Sequence, residues 1–154
     1  MAYILHAVLA SSRILAGHLP WIADSRVIAL AQDISMIPVT TPLCEQFGPA
    51  ERPWLYERSP LCMNLPERLV PDLAELSHQG PVAFVTTEFH GGDGEQCSVV
   101  WRDGELWSEP EEGSWAINTA LVRLGVRSEP GMDPFTTLGL DRCRSVEDWL
   151  AAGL

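Results

Sequence analysis

The chain contains no lysine; all ten basic residues among its 154 are arginine. A Walker-type nucleotide site needs a lysine on the phosphates, so that chemistry is excluded. Schiff-base catalysis, pyridoxal phosphate chemistry included, lacks its amine. A protein kinase lacks the lysine that pairs its phosphates. Cysteine is sparse: Cys44, Cys62, Cys97 and Cys143 show no C-x-x-C and no nearby histidine pair, so no structural zinc site is expected. With 46% hydrophobic residues, the chain needs no disulfide framework, and buried free thiols in a reducing cytoplasm are the expectation. No G-x-S-x-G elbow and no H-E-x-x-H occurs, and His6, His18, His78 and His90 fall in separate segments. No apolar run approaches the roughly 20 residues of a membrane-spanning helix. The opening "MAYILHAVLASSR" has no positive region before its apolar run and reads as a strand rather than a signal peptide.

Negative charge, by contrast, is abundant. Twenty-one acids against ten bases give a net charge of −11. The imbalance is uneven: residues 1–77 carry eight acids and five arginines, residues 78–154 thirteen acids and five arginines. Between Glu88 and Glu112 there are eight acids and one base, Arg102. Such a surface repels nucleic-acid phosphates and anionic membranes and attracts basic proteins. The expected partner is therefore a basic protein. No nucleic acid, membrane or cofactor is expected, and charge says nothing about oligomeric state.

Length and composition suit a single domain over residues 1–154. "AYILHAVLA" reads as a buried first strand, followed by a short helix in "SSRILAGHL". Strands are expected near 27–31 and 34–39, joined at Gln32–Asp33. Pro42 opens a possible helix in "TTPLCEQF", and 48–66 reads as a proline-rich irregular stretch. "VPDLAELSHQG" is a helix from about Pro71, with Leu73 and Leu76 on one face. "PVAFVTTEFH", "EQCSVVW" and "GELWSEP" form a three-stranded meander whose second turn is Asp103-Gly104. "EEGSWAINTALVRLGV" is the clearest helix, with Ser114 as its cap, and "SVEDWLAAG" is a short last helix capped by Ser145. The pattern is α+β: a mainly antiparallel sheet with helices packed on it.

"EFHGGDGEQCSVVWRDGELW", residues 88–107, concentrates the chemistry. Its "GGDG" precedes a strand, not a helix, so it is turn chemistry rather than a phosphate cradle. With a four-residue loop at 91–94, Glu88 would face Cys97 and His90 would face Glu95. Period-2 alternation then gathers Glu88, His90, Glu95 and Cys97 on one face, a set suited to a nucleophile with its base or to a metal. This is the alternative reading, a small enzyme or metal-binding protein. The leading reading is a binding surface. Trp107 falls on the other face, expected to be solvated, amid Glu105, Glu109, Glu111 and Glu112, the composition of an aromatic anchor inside an acidic patch. Asp93 and Glu95 would form its rim.

The segments "FVTTEFHGGDGEQ", "WRDGELW", "INTALVRLGV" and "DPFTTLGLDRCRSVEDWL", spread over residues 82–150, resemble a group of small acidic bacterial proteins of unassigned activity. That group is similar in type to the immunity proteins of bacterial polymorphic toxin systems, small acidic cytoplasmic domains that plug a cognate toxin. The resemblance implies occlusion of a basic toxin domain acting on nucleic acid or nucleotides. It carries over no catalytic residue, so no enzymatic activity is expected.

Overall fold

A computed structural model of the chain describes residues 2–16, 27–39, 69–90 and 93–152. The helix expected in "TTPLCEQF" and the proline-rich stretch 48–66 lie outside the described residues.

The fold is α+β, an open, wholly antiparallel sheet with helices packed on it. Its centre is β1 (Ala2–Ser11). On one side β1 pairs with β3 (Ile34–Pro38), and β2 (Ile28–Ala29) closes that edge. On the other side β1 pairs with β4 (Val82–His90), and β4 with β5 (Asp93–Arg102). The outer edge of β5 is covered by two short pieces, β6 (Glu105–Leu106) and β7 (Glu111–Glu112).

Both faces of the sheet are buried over its central strands. On the first, Val8, Ile37, Val82, Phe84, Val99 and Trp101 are buried beneath α1 (Ser12–Ala16) and α2 (Val70–Leu76). Ile14, Leu15, Leu73 and Leu76 are the helical side of that layer. On the second, Leu5, Ala7, Leu9, Met36, Ala83, Val85 and Val100 meet α3 (Ala116–Arg123), α4 (Pro134–Leu138) and α5 (Val146–Ala152). Two-sided burial explains why "VAFV" is an unbroken apolar run, since neither face of the central strands needs polar residues. It also corrects the expectation of a solvated face behind Trp107: that face is the second core.

Local chemistry sets the joints. Gln32 and Asp33 both have positive φ (57° and 59°), as do Asp103 and Gly104 (55° and 84°), the backbone that a two-residue hairpin turn demands. Asp133 caps α4 by accepting from Thr136 N at 2.8 Å, with Pro134 in the first turn and Gly139 left-handed past its end. Ser145 accepts from Asp148 N at 3.1 Å, the cap expected for the last helix. Ser114 does not cap α3. Gln96 of β5 does that work, its Oε1 accepting from Ile117 N at 3.1 Å, which ties the helix start to the sheet.

The β4–β5 register differs from expectation. Pairing continues to His90–Asp93, so two residues rather than four separate the strands. Glu88 faces Glu95 and Thr86 faces Cys97. The shift is two residues, so every side chain keeps its expected face while its partner changes. Cys97 is also disulfide-bonded, which corrects the expectation of reduced thiols at that position. Pairing cannot be read from cysteine spacing alone. Cys143 is a free, half-buried thiol.

Candidate binding surface

Glu105, Glu111 and Glu112 lie along the outer edge of β5. Glu111 and Glu112 lie opposite Ser98 and Cys97, and Glu105 lies opposite Arg102 at the far end. Glu95 projects near the hairpin end, opposite Glu88. At the rise of an extended strand, Glu95 to Arg102 spans about 24 Å. Glu95, Glu105, Glu109 and Glu112 are exposed, and Glu111 is half-buried. Asp93 opens β5 at the same end as Glu95; the description does not extend to its side chain or that of His90.

Trp107 does not stand out into solvent. Its backbone N donates to Val100 O at 2.8 Å, and its side chain packs against the second core. The Arg102 guanidinium lies 3.9 Å from the ring centroid and that of Arg123 lies 5.7 Å away. Arg123 also donates to Ser108 Oγ at 2.7 Å and pairs with Glu111 at 3.8 Å. Trp107 thus pins the broken edge strand and occupies the two arginines nearest the acids. Among the described residues, Glu95, Glu105 and Glu109 have no ion-pair partner.

Three residues beyond β7 comes a second tryptophan, a residue type expected to be core or half-buried. Trp115 is 57% exposed, among the most exposed large apolar side chains described. It stands at the mouth of a cavity of about 230 Å³ between the second sheet face and the starts of α3 and α4. Thr87 and Gln96 form its floor; Tyr3, Phe135, Asn118 and Asp133 line it. Tyr3 and Phe135 meet edge to face, centroids 5.5 Å apart, and the Tyr3 hydroxyl donates to Leu140 O at 2.7 Å. Burial foremost, then the nearby Asp141 charge, pushes the Tyr3 phenol well above its ordinary value. Asn118 is 4% exposed and joins the two helices, accepting from Phe135 N at 2.7 Å and donating to Asp133 Oδ2 at 3.2 Å. Partial burial works to raise the Asp133 carboxyl, but its bonds from Thr136 and Asn118 outweigh that and hold it below the usual carboxylate value. The cavity therefore has three aromatic walls and one ionised carboxylate. The available signal was position: Trp115 sits outside the apolar stripe of its helix, directly after "EEGS".

The proposed Glu88–His90–Glu95–Cys97 constellation does not offer a thiolate, because Cys97 is fully buried and disulfide-bonded. Glu88 instead lies near His6, a contact across 82 positions of sequence. His6 Nδ1 is 2.6 Å from Thr86 Oγ1, and Nε2 is 3.6 Å from Glu88 Oε1. The carboxylate beside Nε2 favours the tautomer protonated there, leaving Nδ1 to accept from the hydroxyl. Burial lowers the His6 pKa, and the opposing pull of Glu88 is the smaller effect, so the ring is neutral at pH 7. The line of hydroxyl, imidazole and carboxylate matches a hydrolytic triad in type. Thr86, however, is only 3% exposed, with no room for a substrate carbonyl beside its oxygen. The set is a polar bridge between β1 and β4. Among the described residues, no three His, Cys, Asp or Glu side chains come together as metal ligands. No family model, curated protein or solved structure matches the chain.

Proposed function

We propose that this is an immunity-type binding protein that occludes a basic bacterial toxin domain, using the acidic outer edge of β5 as its docking strip. The observation that carries the reading is the set of exposed carboxylates Glu95, Glu105 and Glu109, while the guanidinium groups of Arg102 and Arg123 are engaged on the Trp107 ring. Such an edge steers a cationic partner and imitates the spaced negative charge of a nucleic-acid substrate, so a toxin site built for phosphates would accept it. Glu111 and Glu112 extend the strip, and Trp107 stiffens it from behind. No catalytic step belongs to this reading.

The test is affinity capture from the source organism with wild type beside the triple variant Glu95→Arg, Glu105→Arg and Glu109→Arg. The expected result is one basic protein retained by wild type and lost by the variant, with association slowed about tenfold or more. Wild-type binding should weaken steeply with salt. Equal capture by both proteins would remove the reading.

Action in the cytoplasm is part of the proposal. The Cys97 disulfide weighs against it, because that compartment keeps thiols reduced. Alkylation of intact cells followed by mass measurement decides. Four labelled cysteines place the protein in a reducing compartment; protected Cys97 removes the cytoplasm and leaves the docking strip standing.

A further inference from the structure

We infer that the Trp115 cavity is a socket for one cationic side chain, an arginine or lysine, presented by the protein partner. The inference rests on the docking reading above and adds to it a specific anchor point. Size comes first. At about 230 Å³ the cavity is below the roughly 300–1,000 Å³ of pockets that take drug-sized ligands or nucleotides. It suits a single inserted side chain.

Chemistry selects the charge. Tyr3, Trp115 and Phe135 supply aromatic walls, and Asp133 supplies a carboxylate held in its ionised form by Thr136 and Asn118. Aromatic faces with a carboxylate at their margin attract ammonium and guanidinium groups. The amide oxygens of Gln96 and Asn118 are already bound to backbone N–H groups of α3 and α4, so these residues hold the walls. Position agrees. Trp115 lies three residues beyond Glu112, so a chain docked along the β5 edge passes the cavity mouth. An exposed tryptophan beside an aromatic-lined pocket at the end of an acidic strip is the arrangement of an interface anchor.

The probe is Nα-acetyl-arginine amide, titrated into the ¹⁵N-labelled full chain and followed at the Trp115 indole N–H. Nα-acetyl-glutamine amide and adenosine serve as neutral controls. The expected result is a saturable shift of that resonance with the arginine probe, weakened about tenfold or more for both controls. Trp115→Ala should abolish the response. Asp133→Asn should weaken it about tenfold; asparagine keeps the cap to Thr136 N but loses the bond from Asn118, so the amide resonances of α4 are followed in the same spectra to show that the helix persists. An unmoved indole, or a response as strong to either control, overturns the socket. Neither outcome touches the docking strip, which stands or falls on the triple charge reversal. With the captured partner in hand the two separate again: Trp115→Ala speeds dissociation and leaves the salt dependence alone, whereas edge reversal slows association.

Discussion

His6 shows how one side chain couples the sheet to pH. Burial favours its neutral ring, so the folded protein holds this proton less tightly than the unfolded chain, whose histidine titrates near 6.5. A base with a lowered folded pKa adds stability above the unfolded value. That stability is lost as pH falls from about 6.5 toward the lower folded value. The urea midpoint of wild type should therefore drop between pH 7 and pH 5, with part of the slope missing in His6→Gln. If the two proteins titrate in parallel, the ring is not buried in its neutral form. Asp133 favours its charged form rather than its neutral one, yet the sign is the same: its carboxyl is held low, so its contribution is present above the ordinary 3.8 and lost as pH falls below it. The His6–Thr86 bond spans 80 residues and leaves no trace in local spacing, so by sequence His6 is one isolated histidine among four.

At the scale of elements, the 102–105 hairpin joins two layers. Asp103 N donates to Ser77 O at 3.0 Å and Gly104 N to Ser77 Oγ at 2.8 Å, docking the turn on the end of α2. Gly104 has φ 84°, and a Cβ there would lie 2.6 Å from the His78 ring. Gly104→Ala should cost about 1–3 kcal/mol from the left-handed backbone and the displaced ring. Replacing His78 as well, in Gly104→Ala/His78→Ala, should recover only the steric part. Denaturant unfolding of both variants separates the two effects. The start of α3 offers a second measurement. Gln96→Ala leaves Ile117 N–H without its acceptor and should cost about 1 kcal/mol. Ser114→Ala should be neutral, because that hydroxyl caps nothing. The "DG" turn and the Ser145 cap were legible because a dipeptide or a single residue determines them. The Gln96 cap was not, because it reaches across 21 residues from a different element. The β4–β5 register was half legible: alternation gave each side chain its face, while the turn length that sets the partners is a separate variable. Helix α4 carried an Asp-Pro start and a glycine stop in "DPFTTLG", but its five residues are too few to show a helical period.

The described residues form three layers, a sheet with helices on both faces, and the acids along the outer edge of β5 stand exposed beside them. Unbroken apolar strands signal two-sided burial, and the antiparallel α+β class was readable from them together with the turns. The site was readable only as a composition. Eight acids in 25 residues marked the edge, but alternation could not say that Trp107 would turn inward and Trp115 outward. A net charge of −11 works against compactness, because like charges repel more strongly in the fold than in the open chain. If the edge acids serve a partner rather than the fold, removing them should stabilise the free protein. Glu95→Gln, Glu105→Gln and Glu109→Gln together should raise the thermal midpoint in low salt, a stabilisation of about 0.2–0.5 kcal/mol per site. The gain should fade near 0.15 M salt, where the screening length is about 8 Å. The same variant should bind the captured partner more weakly, the trade expected of residues retained for function. If the neutralised protein is instead less stable at every ionic strength, the acids hold the fold together, and the docking strip loses its physical basis.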